Sequence, residues 1–162
     1  MNKKLKIGVD YHGVITSNPD FFKTFNSLAI KKGFEVYVVT GGKAEEVKEY
    51  LNKHHIPASH IFSVLDYFQK RNLVTFSEDG LFHVPDILWD KAKANFCIKQ
   101  QIDIHIDDSM TYGIHFQTPF CLYSAQNQKC QLVKNNIPIN FNQPAQNVLK
   151  DIEEALDRLS SK

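Results

Sequence analysis

The chain has 162 residues, 43% of them hydrophobic and 23% charged, the composition of an ordinary globular protein rather than a disordered one. That length suits one domain, spanning residues 1–162, with a single substantial core. A formal net charge of +1 gives no electrostatic case for a nucleic-acid or membrane partner.

The basic opening MNKKLK precedes an apolar run too short for a secretory signal, and no stretch approaches a membrane span. A soluble cytoplasmic protein is therefore expected. KIGVD reads as a first strand ending on Asp10, followed at once by a turn containing Gly13. Residues 19–32 carry Phe21, Phe22, Phe25, Leu28 and Ala29 at helical spacing, and Gly33 stops them. FEVYVVT is a second strand, ending on Thr40. Residues 43–54 form a charged amphipathic helix that Pro57 bars from continuing. HIFSVLDYF is a third β-like run passing into a helix through Gln69. A turn at Glu78-Asp79-Gly80 between two alternating runs predicts a small hairpin near 75–84. A helix is expected over 90–101 with Asp90 as N-cap, then a fourth strand, IDIHID, and a fifth, FCLY. Pro144 opens a last helix over 144–160.

Strands alternating with helices predict an α/β fold: a mainly parallel sheet with helices on both faces. Such sheets bind ligands beyond the carboxyl ends of their strands. Asp10, Thr40 and the pair Asp107-Asp108 each end or follow a predicted strand, so parallel neighbours would bring them to one crevice.

Cys97, Cys121 and Cys130 show no close spacing, which indicates neither a disulfide frame nor a zinc knuckle. Cys97 and Cys121 read as buried packing residues and Cys130 as exposed. His54-His55 reads as a solvated or capping pair at a helix end. His83, His105 and His115 read as core or edge residues of strand-like runs.

A carboxylate at the end of the first strand can attack phosphorus. An anion attacking a phosphate needs charge neutralisation, which Lys93 and a divalent metal can supply. Mg²⁺ prefers an octahedron of oxygens that keeps several waters. Asp10, the His12 backbone carbonyl and Asp108 would make such a site, with Asp107 holding one of the metal's waters. Thr40, with the backbone amides of Gly41 and Gly42, would bind the phosphoryl oxygens. The bland alternatives are a turn and helix cap at Asp107-Asp108-Ser109, a plain loop at Thr40-Gly41-Gly42, and a surface lysine at Lys93.

The chain resembles the haloacid dehalogenase-like (HAD) phosphohydrolase superfamily over about residues 5–124. GVDYHGVIT looks like its first motif, with Asp10 in the nucleophile position. YVVTGG resembles the second motif, which places Thr40 as the phosphate-binding hydroxyl. KANFCIKQQIDIHIDDS resembles the third and fourth motifs of short, nucleotidase-like members, with Lys93 as the lysine and Asp108 as the direct Mg²⁺ ligand. Lys91 competes with Lys93. The two lie about 200° apart around a helix, so only one can face the crevice; the match to KAxxC favours Lys93. The resemblance implies a Rossmann-like three-layer αβα sandwich, Mg²⁺ dependence and phosphatase activity.

One departure stands out. The family's phosphatases usually carry aspartate two residues past the nucleophile, as general acid and then base; here it is His12. A histidine titrates near pH 6.5 when unperturbed, closer to neutrality than an aspartate. Protonated His12 could donate to the leaving oxygen and neutral His12 could activate water. The alternatives are a phosphate- or nucleotide-binding protein without turnover, and a phosphotransferase sharing the first half-reaction.

The segment from Asp10 to the helix opening at Pro19 is too short for a helical cap, so no large cap domain is expected; the hairpin could be a small flap. Capless members of the superfamily often accept large substrates or recruit an oligomeric partner to close the site. The leading substrate class is a nucleotide or other small phosphate monoester. Tyr11, Phe82, Trp89 and Tyr112 could stack on a base, although each also reads as ordinary packing.

Overall fold

The computed structural model describes residues 3–162. Strand β1 (Lys6–Asp10) leads through a short 3-10 turn (Ile15–Ser17) into α1 (Pro19–Lys31), capped by the Asn18 side chain on the Phe21 amide. Then follow β2 (Glu35–Thr40), α2 (Ala44–Lys53), β3 (His60–Ser63) and α3 (Val64–Gln69). The Ser63 side chain caps α3 by accepting from the Asp66 amide. The hairpin strands β4 (Thr75–Phe76) and β5 (Phe82–His83) precede α4 (Asp86–Lys99), β6 (Ile104–Asp107) and α5 (Met110–Gly113). Strands β7 (Phe120–Ser124), β8 (Lys129–Leu132) and β9 (Ile137–Asn140) and the helix α6 (Ala145–Ser160) complete the chain.

The main sheet has seven strands in the order β3-β2-β1-β6-β7-β8-β9, parallel from β3 through β7 and antiparallel beyond. The chain builds β2 and β3 on one side of β1, then crosses to build β6 on the other. Such a reversal, here beside β1, is where open α/β sheets bind ligands, at the carboxyl edge of β1 and β6. Helices cover both faces. Side chains of α1, α2 and α6 pack with Ile7, Val9, Val36, Val38, Ile104 and Ile106. On the opposite face Tyr37, Val39 and Phe120 meet Ala94 and Cys97 of α4. The mixed α/β architecture with a mostly parallel sheet is as expected, and it is compatible with a Rossmann-like fold.

Three expectations need correction. Helix α4 starts at Asp86, not Asp90, with Pro85 at its N-cap. Pro85 can stand there because that position needs no intrahelical N–H, and Asp86 in the first turn faces the positive end of the helix dipole. Asp90 is an interior residue. Cys121 and Cys130 form a disulfide with their Cα atoms 5.7 Å apart, and Cys130 is buried. The unforeseen strands β8 and β9 are the cause. Buried and more exposed residues alternate along both strands, and the antiparallel ladder pairs Cys130 with Tyr123, two residues beyond Cys121. Pro138 sits in β9, which is an edge strand, where a missing N–H is tolerated. No helix of the described residues is long and apolar enough to cross a membrane.

Candidate active site

The two-residue period of a strand puts Gly8 and Asp10 of β1, and His105 and Asp107 of β6, on the face covered by α4. From α4, Lys93 enters this layer almost completely buried. Its Nζ donates to Asp10 Oδ1 at 2.9 Å and to Asp107 Oδ2 at 2.8 Å, and lies 4.6 Å from the centre of the Tyr112 ring. Lys91 points the other way and is exposed, lining a cleft on the outside of α4. Of the two lysines, Lys93 is the one at the crevice.

Asp107 has both oxygens engaged. Oδ2 accepts from Lys93 and from His105 Nε2 at 3.1 Å, while Oδ1 accepts from the Ser109 amide at 3.0 Å. The sequence marks His105 only as a core or edge residue; the structure adds its hydrogen bond to Asp107. His105 has no exposure at all and stacks on Phe116 with ring centres 5.0 Å apart. Facing a carboxylate, Nε2 must carry the proton, and Nδ1 has no partner. Gly8 makes room for this ring: a Cβ there would lie 2.5 Å from Nδ1. The period-2 pairing of His105 with Asp107 along β6 was the available signal.

Asp108 is exposed and curls under the Gly13 turn. A Cβ on Gly13 would lie 2.0 Å from Asp108 Oδ2, and its φ of +78° is itself the left-handed region that favours glycine. One oxygen each from Asp10, Asp107 and Asp108 lies within 4.8 Å of the other two. Three carboxylates against one lysine leave the corner with excess negative charge. An oxygen-only donor set suits Mg²⁺, whose opposite ligands stand about 4.2 Å apart at roughly 2.1 Å from the ion. Asp10 and Asp108 keep carboxylate lone pairs free for an ion, since Asp10 Oδ1 accepts only from Lys93, whereas Asp107 is already committed to Lys93, His105 and the Ser109 amide. Among the described residues no hydrogen bond reaches the His12 carbonyl, the expected backbone ligand.

Charge and burial set the protonation of the group. Burial, with Asp107 and Asp108 nearby, pushes Asp10 up to about 7 despite the opposing pull of Lys93. Burial also works against the charged form of Asp107, but the His105 hydrogen bond and Lys93 outweigh it and hold that carboxyl at about 2. Burial opposes the charge on Lys93, yet Asp10 and Asp107 together raise it above its ordinary value. His105 is lowered by burial, in keeping with a neutral ring. The buried Cys97 thiol is pushed up to about 12 by desolvation, so it is a packing residue and not a nucleophile.

Thr40 is fully buried at the end of β2, and its Oγ1 accepts from the Gly42 amide at 3.1 Å. That bond leaves the Thr40 hydroxyl proton free to donate but occupies the Gly42 amide, one of the expected phosphate donors. The loop is pinned from behind: Ser63 Oγ donates to the Gly42 carbonyl at 2.5 Å, and Asp66 accepts from the Ala44 amide at the start of α2. The exposed His12 ring overhangs the loop. Its Cε1 and Thr40 Oγ1 both lie 3.7 Å from the point where a Gly42 Cβ would stand. Across the crevice, Trp89 Cζ2 lies 3.1 Å from the corresponding point at Gly41. Trp89 Nε1 donates to the Tyr112 hydroxyl at 3.3 Å, and Phe82 of the hairpin packs 5.4 Å from the Trp89 ring. Phe82, Trp89 and Tyr112 thus form one wall. Tyr11 does not join it; it is buried against Tyr50, ring centres 5.3 Å apart.

No protein-family model matches this chain, and no curated protein matches it.

Proposed function

We propose that this protein is a Mg²⁺-dependent phosphohydrolase of the HAD-like type, acting on a phosphate monoester, with a nucleotide as the leading substrate class. The carrying observation is the net-negative corner at the carboxyl edge of β1 and β6, where Asp10, Asp107 and Asp108 meet around the buried Lys93. The resemblance of GVDYHGVIT, YVVTGG and IDIHIDDS to the superfamily's motifs supports the same reading.

Lys93 holds Asp10 Oδ1, which leaves Oδ2 as the nucleophilic oxygen. A bound Mg²⁺ would offset the excess negative charge, keep Asp10 ionised and neutralise the phosphoryl group. Asp10 and Asp108 would hold it, with the His12 carbonyl, and Asp107 would orient one of its waters. Thr40 donates its hydroxyl to a phosphoryl oxygen. Asp10 Oδ2 forms a bond to phosphorus as the bond to the leaving oxygen breaks, and protonated His12 delivers a proton to that oxygen. Neutral His12 then takes a proton from the water that attacks the aspartyl-phosphate, which restores the Asp10 carboxylate. Trp89 and Phe82 offer an aromatic wall to the leaving group.

A second reading, phosphate or nucleotide binding without turnover, draws on the exposure of His12, to which no hydrogen bond of the described residues gives a fixed direction. Phosphate release from p-nitrophenyl phosphate and a panel of nucleoside monophosphates, with Mg²⁺ or EDTA, from pH 5 to 8, separates the two. Metal-dependent turnover that disappears in Asp10→Asn is expected. Absence of turnover at every pH, with Mg²⁺ still bound, would move the assignment to the binding role. A large gain in His12→Asp would show that His12 is poorly adapted to the acid–base step.

A further inference from the structure

Lys91, turned away from the crevice, borders a cleft between α3 and α4. Its floor is aromatic: Phe62 and Phe96 stack in parallel with ring centres 3.9 Å apart, and Phe68 closes one side. Its rim is basic, with Arg71, Lys91 and Lys99, and no carboxylate lines it. The cleft encloses about 660 Å³, inside the range typical of small-molecule sites.

Two features of this cleft are unexplained by the fold. Leu88, at 40% exposure, and Leu73, at 42%, edge the cleft without being covered. Lys91 and Lys99 stand eight residues apart, about 80° apart around the helix and about 12 Å apart along its axis, both bordering the row that includes Ala92 and Phe96. Neither lysine is in a salt bridge among the described residues. Arg71 is partly engaged, with its guanidinium 3.6 Å from the Tyr67 ring centre. An apolar floor under an unneutralised row of cations matches a ligand with an apolar body and one anionic head.

We infer that this cleft is a binding site for a monomeric amphipathic carboxylate, its chain laid over Phe62, Phe68 and Phe96 and its head held at the basic rim by Lys91 or Lys99. The site lies on the opposite side of α4 from Lys93 and owes nothing to the phosphoryl chemistry. Burying an apolar chain supplies the affinity and the lysine row supplies the direction and the preference for an anion.

The test is a titration of the full-length protein, ¹⁵N-labelled, with octanoate, decanoate and decanol below their aggregation limits. Saturable amide shifts confined to α3, α4 and the Phe62 strand end are expected, with binding tightened about 4-fold by each added CH₂, the ~0.8 kcal/mol of its burial. Decanol should bind at least tenfold more weakly than decanoate. The double variant Lys91→Glu, Lys99→Glu, both exposed positions, should weaken decanoate at least tenfold and leave decanol unchanged. No saturable shift, equal affinity for decanol, or indifference to the charge reversal would overturn the inference. So would shifts at the cleft that appear on raising the protein concentration alone, which would make a second copy the occupant. Flotation with phosphatidylglycerol vesicles without binding of monomeric decanoate would likewise overturn it, in favour of a lipid surface. Because no arm measures phosphate release, the result is independent of whether the protein is a phosphohydrolase.

Discussion

The two faces of the sheet are built differently. The face under α1, α2 and α6 is a continuous apolar core in which Phe22, Phe25, Ile152 and Val148 are wholly buried. The face under α3, α4 and α5 is divided into two smaller clusters, and Lys93, His105 and Asp107 are buried within that layer. Among the described residues, the large hydrophobic side chains that remain exposed, from Leu73 to Ile114, also belong to the segment that covers this second face. A seamless core maximises stability per residue, whereas buried charges give some of it up. The first face carries the fold, and the second carries the charged residues of the proposed active site.

Substitutions can break that contrast. The largest effect is expected from Lys93→Met, which leaves Asp10 and Asp107 buried without their cation. Denaturant titration should show a loss of about 3–5 kcal/mol, and the folded fraction should lose roughly 100-fold or more in turnover. Phe22→Ala on the other face should lose a similar ~3–5 kcal/mol through the cavity it leaves. Turnover per folded molecule should stay at the wild-type level, and a fall in it would show that the faces are not separable.

A smaller effect concerns pH and metal. Asp10 titrates near 7 in the fold, above the 3.8 of the free group, so its favourable contribution is full below pH 3.8 and is lost as pH rises through 7. Asp107, held at about 2, acts oppositely; its contribution is present above pH 3.8 and is lost as pH falls through 2. In EDTA, thermal melts at pH 8 should therefore place Asp10→Asn a few degrees above the wild type, on the order of 1–2 kcal/mol, with the gap closing near pH 4. Mg²⁺ should raise the wild-type Tm at pH 8 and leave Asp10→Asn nearly unmoved. An equal response of both proteins would remove Asp10 from the proposed metal site.

The smallest effect sharpens the role of His105. His105→Phe keeps the stack on Phe116 but removes the Nε2 proton from Asp107, and a loss of about 10-fold in kcat or metal affinity is expected. His105→Gln, which can still donate, should recover most of it. If Gln and Phe behave alike, His105 is only a packing residue.

Much of this was legible in the chain. The runs KIGVD, FEVYVVT and IDIHID are dense in β-branched residues because central parallel strands are buried on both faces, and that signal is strong. Their ends carry Asp10, Thr40 and Asp107-Asp108, and the hairpin is marked in the sequence by Glu78-Asp79-Gly80. The strands β8 and β9 were not legible, since half-exposed residues such as Lys129, Gln131 and Asn140 carry little β signal without a partner. With them went the Cys121–Cys130 bond.

By itself the sequence determined the alternation of strands and helices and the residues that end the parallel strands, because burial and backbone preference act over a few neighbours. Only the tertiary structure decided that Lys93 rather than Lys91 reaches those residues. It also decided that His105 fixes Asp107, that Gly8 and Gly13 make room for His105 and Asp108, and that the outer side of α4 is a basic-rimmed cleft. Each of these is a contact between elements far apart in the chain. Its energy depends on which groups share a desolvated space, and local spacing does not encode that.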